Sequence, residues 1–128
     1  MTHFIEPKLG KDRPLFIYDF PASQAALAKI NNNNLAERFE VYIHGIEIAN
    51  GFHELSNGME QRRRFLADLE KRRELNLPEI PIDENFLAAL DGGFPDCAGV
   101  ALGIDRLLML LMNTNSIKDV IIFPIDQA

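Results

Sequence analysis

Three glutamates, Glu40, Glu47 and Glu54, fall within one strand-like stretch, and the last two bracket an asparagine and a glycine in "EIANGFHEL". Carboxylates carried into a fold are costly unless something cationic meets them. Residues 37–50, "ERFEVYIHGIEIAN", alternate apolar and polar side chains around His44-Gly45, the pattern of a hairpin with a two-residue turn. That turn pairs Ile43 with Ile46, Tyr42 with Glu47, Val41 with Ile48 and Glu40 with Ala49. Val41, Ile43, Ile46 and Ile48 then make an apolar face, and Glu40, Tyr42 and Glu47 the other, with the two carboxylates about 7 Å apart or less. Like charges that close call for a cation between them, a metal ion or an ammonium group, or for open solvent.

Asn50, Phe52 and Glu54 continue at period two with a parity different from that of Glu47, so sharing its face requires a bulge near Gly51. An amide, an aromatic wall and a carboxylate grouped together suit an ammonium-bearing ligand. The same spacing is met by a core phenylalanine, a turn asparagine and a surface glutamate. Further along, Gly99 and Gly103 leave room for a ligand to approach the backbone, and Asp105 and Arg106 are the only charges at the start of an apolar helix. An arginine in a first turn opposes the helix dipole. A polyanion such as a nucleotide phosphate would account for it, and so would a structural pair with an acidic side chain.

Other charges are less pointed. Arg62, Arg63, Arg64, Lys71, Arg72 and Arg73 supply six of the 13 basic residues, interleaved with Glu60, Asp68, Glu70 and Glu74 as on a solvated helix face. His3, His44 and His53 make no metal-spaced set, and Cys97 has no activating partner visible in sequence.

Several elements must position these groups. Residues 1–14 read as a polar lead-in segment outside the core, 15–21 as a strand ending at Pro21, and 31–34 as a loop. A helix from Asn57 to about Leu77 has Asn57 as cap, Glu60 three residues on and Pro78 beyond its end. A second helix spans Asp83 to Leu90, and the glycine-rich stretch 92–103 leads into "IDRLLMLLMN", apolar nearly all round and therefore expected to be buried. "VIIFP" (120–124) reads as a buried strand. With 128 residues, 47% of them hydrophobic, the chain holds one core at most. Its net charge of −6 argues against holding nucleic acid by bulk electrostatics. One cysteine, no apolar run near the roughly 20 residues of a membrane span and no signal-like N-terminus predict a soluble cytoplasmic setting.

Together, "RFEVYIHGIEIANGFHEL" and "PDCAGVALGIDRLLML" resemble the C-terminal part of the catalytic domain of class II lysyl-tRNA synthetases, the second stretch looking like the third signature motif of the class, at 99–106. His53, where the tRNA-charging enzymes usually have serine, and Ala101, where they usually have glycine, favour the branch that attaches β-lysine to elongation factor P. The resemblance implies an α+β fold, an antiparallel sheet flanked by helices. It implies ATP and Mg2+ as cofactors, with Glu40 and Glu47 serving the magnesium and ATP, and Ile48 and Gly103 alongside the nucleotide. Arg106 would meet the terminal phosphate, and Arg106 and Glu47 would carry the catalysis. Asn50, Phe52, Glu54, Gly99 and Ala101 would line the pocket for lysine or β-lysine, with Glu54 facing a substrate ammonium. The implied chemistry is formation of an aminoacyl adenylate and transfer to a lysine of elongation factor P, with tRNA an unlikely acceptor.

No counterpart of the first two signature motifs is present, so residues 1–128 are expected to be a partial catalytic domain, with 15–128 its core. Open sheet edges then predict self-association or pairing with a missing N-terminal portion. Two other readings share these residues: a fragment of a lysyl-tRNA synthetase, and a non-catalytic binding module on the same fold.

Overall fold

Alternation on either side of His44-Gly45 produces the hairpin that the sequence predicts. In the computed structural model, which describes residues 4–125, the elements are β1 (Leu15–Pro21), β2 (Leu35–Ile43), β3 (Ile46–His53), α1 (Gly58–Glu74), α2 (Glu84–Asp91), β4 (Ala98–Leu102) and α3 (Ile104–Leu111). The strands form one antiparallel sheet in the order β1-β2-β3-β4, and with the helices make the expected α+β fold. Met1–His3 and residues 126–128, the outer ends of the expected lead-in and of the expected 15–128 core, lie outside the described residues. The chain divides into two compact units.

The first unit comprises Arg38–Gly51 with the described parts of Met1–Asp19 and Val100–Ala128. His44 and Gly45 take φ of 51° and 80°, the left-handed pair that a type I′ hairpin turn demands. Their N–H groups donate to the carbonyls of Gly10 and Leu9 at 2.7 and 2.8 Å. Gly10, with φ of 62°, is buried so closely that a Cβ there would lie 2.2 Å from the carbonyl oxygen of Tyr42. The lead-in is therefore not outside the packed structure: it satisfies the turn's backbone donors, which would otherwise have only water. Phe16 and Phe39 stack across β1 and β2 with centroids 6.0 Å apart.

Other expectations also fail in this unit. The apolar helix α3 is not buried: Met109 alone is enclosed, while Ile104, Leu111 and Met112 are more than half exposed. "VIIFP" is not a strand, because no neighbouring strand among the described residues pairs with it, and Ile122 and Phe123 lie open. β4 instead forms inside the stretch that reads as glycine-rich loop.

The second unit comprises Phe20–Glu37 and Phe52–Gly99. Asn57 caps α1 by accepting from the N–H of Glu60 at 2.9 Å, as predicted. The helix stops at Glu74, short of Leu77, because Asn76 turns left-handed at φ 53°. Asp83 caps α2 through the N–H of Phe86. Phe65 packs against Phe86 across the two helices, centroids 6.0 Å apart, and Gln61 and Leu87 are fully buried.

Candidate functional site

Of the three glutamates, Glu40 is met by a cation. Glu40 is 5% exposed, and both its oxygens are engaged: Oε1 accepts from Arg38 and Oε2 from the Tyr42 hydroxyl at 2.6 Å. Burial and the neighbouring Glu40 push the Tyr42 hydroxyl pKa up. Tyr42 is 2% exposed whereas Val41, Ile43 and Ile46 are only half-buried, so the carboxylate face is the more enclosed one and the open-solvent alternative fails for Glu40. Glu47 lies within electrostatic reach of Glu40. Burial first, and then Glu40, raise its pKa against the opposing pull of Arg106 and Arg38.

Arg106 leaves the first turn of α3, and its Nη1 donates to the Glu47 carbonyl at 2.8 Å and lies 3.8 Å from Glu47 Oε2. The first-turn arginine thus has an acidic neighbour at a distance longer than a hydrogen bond, and its side chain remains half exposed. Gly103 places that turn: its N–H donates to the carbonyl of Ile48 at 2.8 Å. Ile48 itself is enclosed, at 4% exposure.

The expected bulge at Gly51 is absent. Equal lengths of chain separate the bonds Gly103 N–H to Ile48 and Glu54 N–H to Cys97, so β3 and β4 keep one register between them, and Gly51 has no left-handed backbone. Ile48 and Ala49 are buried consecutively, so both faces of β3 are covered there. Asn50 Oδ1 is buried without a hydrogen-bond partner, an acceptor waiting for a donor. Ala101 is exposed on β4.

In the second unit, Glu54 is half-buried and its carboxylate has no partner among the described residues. It occupies the space that a side chain at Gly99 would need: a Cβ there would fall 2.5 Å from Glu54 Oε1. Phe52 is half-buried nearby in sequence. Sequence reasoning missed a network beside Glu54. His53 Nδ1 meets Glu37, its Nε2 meets Asp96 Oδ1 at 2.7 Å, and Lys29 approaches both His53 Nε2, at 3.2 Å, and Asp96. Hydrogen bonds to Asp96 and then Glu37 raise the His53 pKa. The one sequence signal was His53 itself, a departure from the tRNA-charging pattern.

No group of three or more metal-ligating side chains occurs among the described residues. Of Glu40 and Glu47, only Glu47 has a carboxylate not already taken by Arg38 and Tyr42, and one carboxylate fits the mode of magnesium, which is commonly held by one or two of them together with substrate phosphates and water. A cleft of about 350 Å³ lined by Phe65, Leu69, Ile80, Pro81 and Ile82 contains none of the predicted site residues. No helix among the described residues is long and apolar enough to cross a membrane.

The chain is 58% identical over 129 residues to the elongation factor P--(R)-beta-lysine ligase of Klebsiella pneumoniae (strain 342), a match covering 99% of this chain and 40% of that protein. Proteins of the same name from Salmonella gallinarum and Pectobacterium carotovorum are each 55% identical, over 100% and 99% of this chain and 40% of their own length. The chain therefore spans about two fifths of the length of these curated relatives. A sequence model described as tRNA synthetases class II (D, K and N) matches residues 5–127, and the chain belongs to that family.

Proposed function

We propose that this chain supplies part of the active site of an ATP-dependent ligase that activates lysine or (R)-β-lysine and passes it to a lysine of elongation factor P. The observation that carries the reading is 55–58% identity along the whole chain to proteins named for that reaction. The geometry supports it. Glu54, unpartnered and half-buried, would hold the substrate ammonium, and the orphaned Asn50 Oδ1 would accept from a substrate N–H. Phe52 and Gly99, in the same unit as Glu54, would shape the space around its carboxylate.

Arg106, half exposed beside Glu47, would bind the terminal phosphate of ATP, with Ile48 and Gly103 fixing the turn that presents it. Magnesium, when bound, would neutralise charge on the phosphate oxygens. Glu47 would be its main protein ligand, because Arg38 and Tyr42 already occupy Glu40. In the reaction the substrate carboxylate attacks the α-phosphorus of ATP and pyrophosphate leaves. The acceptor lysine amine then attacks the acyl carbon and AMP leaves. A cytoplasmic location fits this role. So does association with the remainder of a catalytic domain or with a second copy, since Phe16, Tyr18, Ile122 and Phe123 are largely exposed.

The family description favours one second reading, a lysyl-tRNA synthetase acting on the same amino acid. Supply the full chain, together with the portion of the Klebsiella pneumoniae relative that it does not match, with ATP, magnesium and labelled β-lysine. Label on elongation factor P is the expected result. Label on lysine tRNA, with none on elongation factor P, would install the second reading instead.

A further inference from the structure

Glu54 follows directly on β3, in extended backbone bridged to Ala28, with three attachments to the segment that enters β4. Its N–H donates to the carbonyl of Cys97 at 2.9 Å, and its carboxylate fills the space over Gly99. The third attachment runs through its neighbour His53, whose Nε2 meets Asp96 at 2.7 Å. Successive residues of a strand project to opposite faces, so His53 cannot touch a ligand held by Glu54. It can fix where Glu54 stands. Its other ring nitrogen is held by Glu37 on β2, and Lys29 donates to Asp96 from the segment that bridges to Glu54 through Ala28. Four parts of the chain therefore converge on one imidazole.

We infer that His53 is a positioning residue: clamped as an imidazolium between Glu37 and Asp96, it anchors the 96–99 segment to β3 and so fixes the Glu54 carboxylate for the substrate ammonium. The inference rests on the proposed function in one respect, that Glu54 binds the amino acid. The charge logic is direct. A singly protonated imidazole can donate to only one of two flanking carboxylates, whereas the imidazolium donates to both. Lys29 is the only cation that opposes it in the cluster, and the two carboxylates outweigh it, which leaves the pKa raised. The sign follows: the clamp is complete below the ordinary histidine value of 6.5 and is released as pH rises through the raised value.

The test compares the full chain with His53→Gln and Asp96→Asn, each supplemented for kinetics with the unmatched portion of the Klebsiella pneumoniae relative. Amino-acid-dependent pyrophosphate exchange is followed between about pH 6 and about pH 8, the range in which a histidine titrates. Wild type should lose amino-acid affinity as pH rises. His53→Gln should raise the amino-acid KM by between about 2- and 30-fold, flatten that profile and leave the ATP KM unchanged. Asp96→Asn, which removes the larger cause of the raised pKa, should move the midpoint to lower pH. A His53→Gln variant with the wild-type amino-acid KM and pH profile, or with amino-acid and ATP KM raised alike, would overturn the inference. If wild type itself gives no exchange with either lysine isomer, the ligase reading fails, and amide hydrogen exchange at Glu54 in the full chain decides the clamp separately. Faster exchange in His53→Gln, and in wild type at high pH, supports it; unchanged exchange refutes it.

Discussion

Gly99→Ala separates packing around the proposed ammonium-binding carboxylate from packing of the fold. The added Cβ would lie 2.5 Å from Glu54 Oε1, while ordinary contacts begin near 3.4 Å, so the carboxylate must retreat by the difference, about 0.9 Å. The obstructing atom is the far end of a flexible side chain, and Gly99 has no left-handed backbone that alanine would strain. Stability should therefore change by no more than about 1 kcal/mol, since alanine also restricts the unfolded chain. Binding is another matter, because a displacement near 1 Å in a positioned group can cost on the order of 100-fold. The assay is amino-acid-dependent pyrophosphate exchange with the complementing portion, alongside thermal unfolding of the chain. Gly99→Ala should raise the amino-acid KM steeply, up to about 100-fold, at unchanged ATP KM. An unaltered amino-acid KM, or a loss of folding stability above about 3 kcal/mol, would refute the reasoning.

Gly10→Ala should behave in the opposite way: its Cβ would meet backbone at 2.2 Å in a left-handed residue, so unfolding by denaturant should show a loss of at least about 3 kcal/mol. Ala101→Gly should relax discrimination between β-lysine and α-lysine by tens of fold at most, as expected for one methyl in a pocket, whereas Glu54→Gln should weaken both isomers; competition kinetics would show either. The hydrogen bonds of Arg63 and then Arg64 hold the Glu60 carboxyl down at about 2. A depressed acid contributes stability above its ordinary value of 4.5 that is lost as pH falls through about 2, so the Tm gap between wild type and Glu60→Gln should close over that range, and a constant gap would contradict the assignment.

What could be read in the sequence followed local rules. The hairpin needed only an alternating pattern around a dipeptide that tolerates positive φ, and α1 and α2 needed only Asn57 and Asp83 ahead of helical spacing. The failures came where the outcome depends on distant partners. "VIIFP" has strand composition but no strand to pair with among the described residues, and α3 has core composition but exposed sides. β4 hid in a glycine-rich stretch because its pairing with β3, not its propensity, makes it a strand. For the site, the alternation grouped Glu40, Tyr42 and Glu47, yet it gave no sign that Arg38 would neutralise Glu40. A bulge is expected at Gly51, because glycine is the usual marker of one, yet β3 keeps a single register with β4 across that position. The Lys29, Glu37, His53 and Asp96 cluster joins residues up to 67 positions apart, beyond any local pattern.

The central claim is that these residues form the amino-acid and ATP half-sites of a lysine-activating ligase. The measurement that tests it most directly is ATP–pyrophosphate exchange by the full chain, complemented with the portion of the Klebsiella pneumoniae relative that it does not match, with each lysine isomer in turn. The account predicts exchange that requires the amino acid, is greater with (R)-β-lysine than with α-lysine, and is reduced by Glu54→Gln through the amino-acid KM with the ATP KM unchanged. No exchange from the complemented wild-type chain with either isomer, or exchange indifferent to Glu54→Gln, would contradict it.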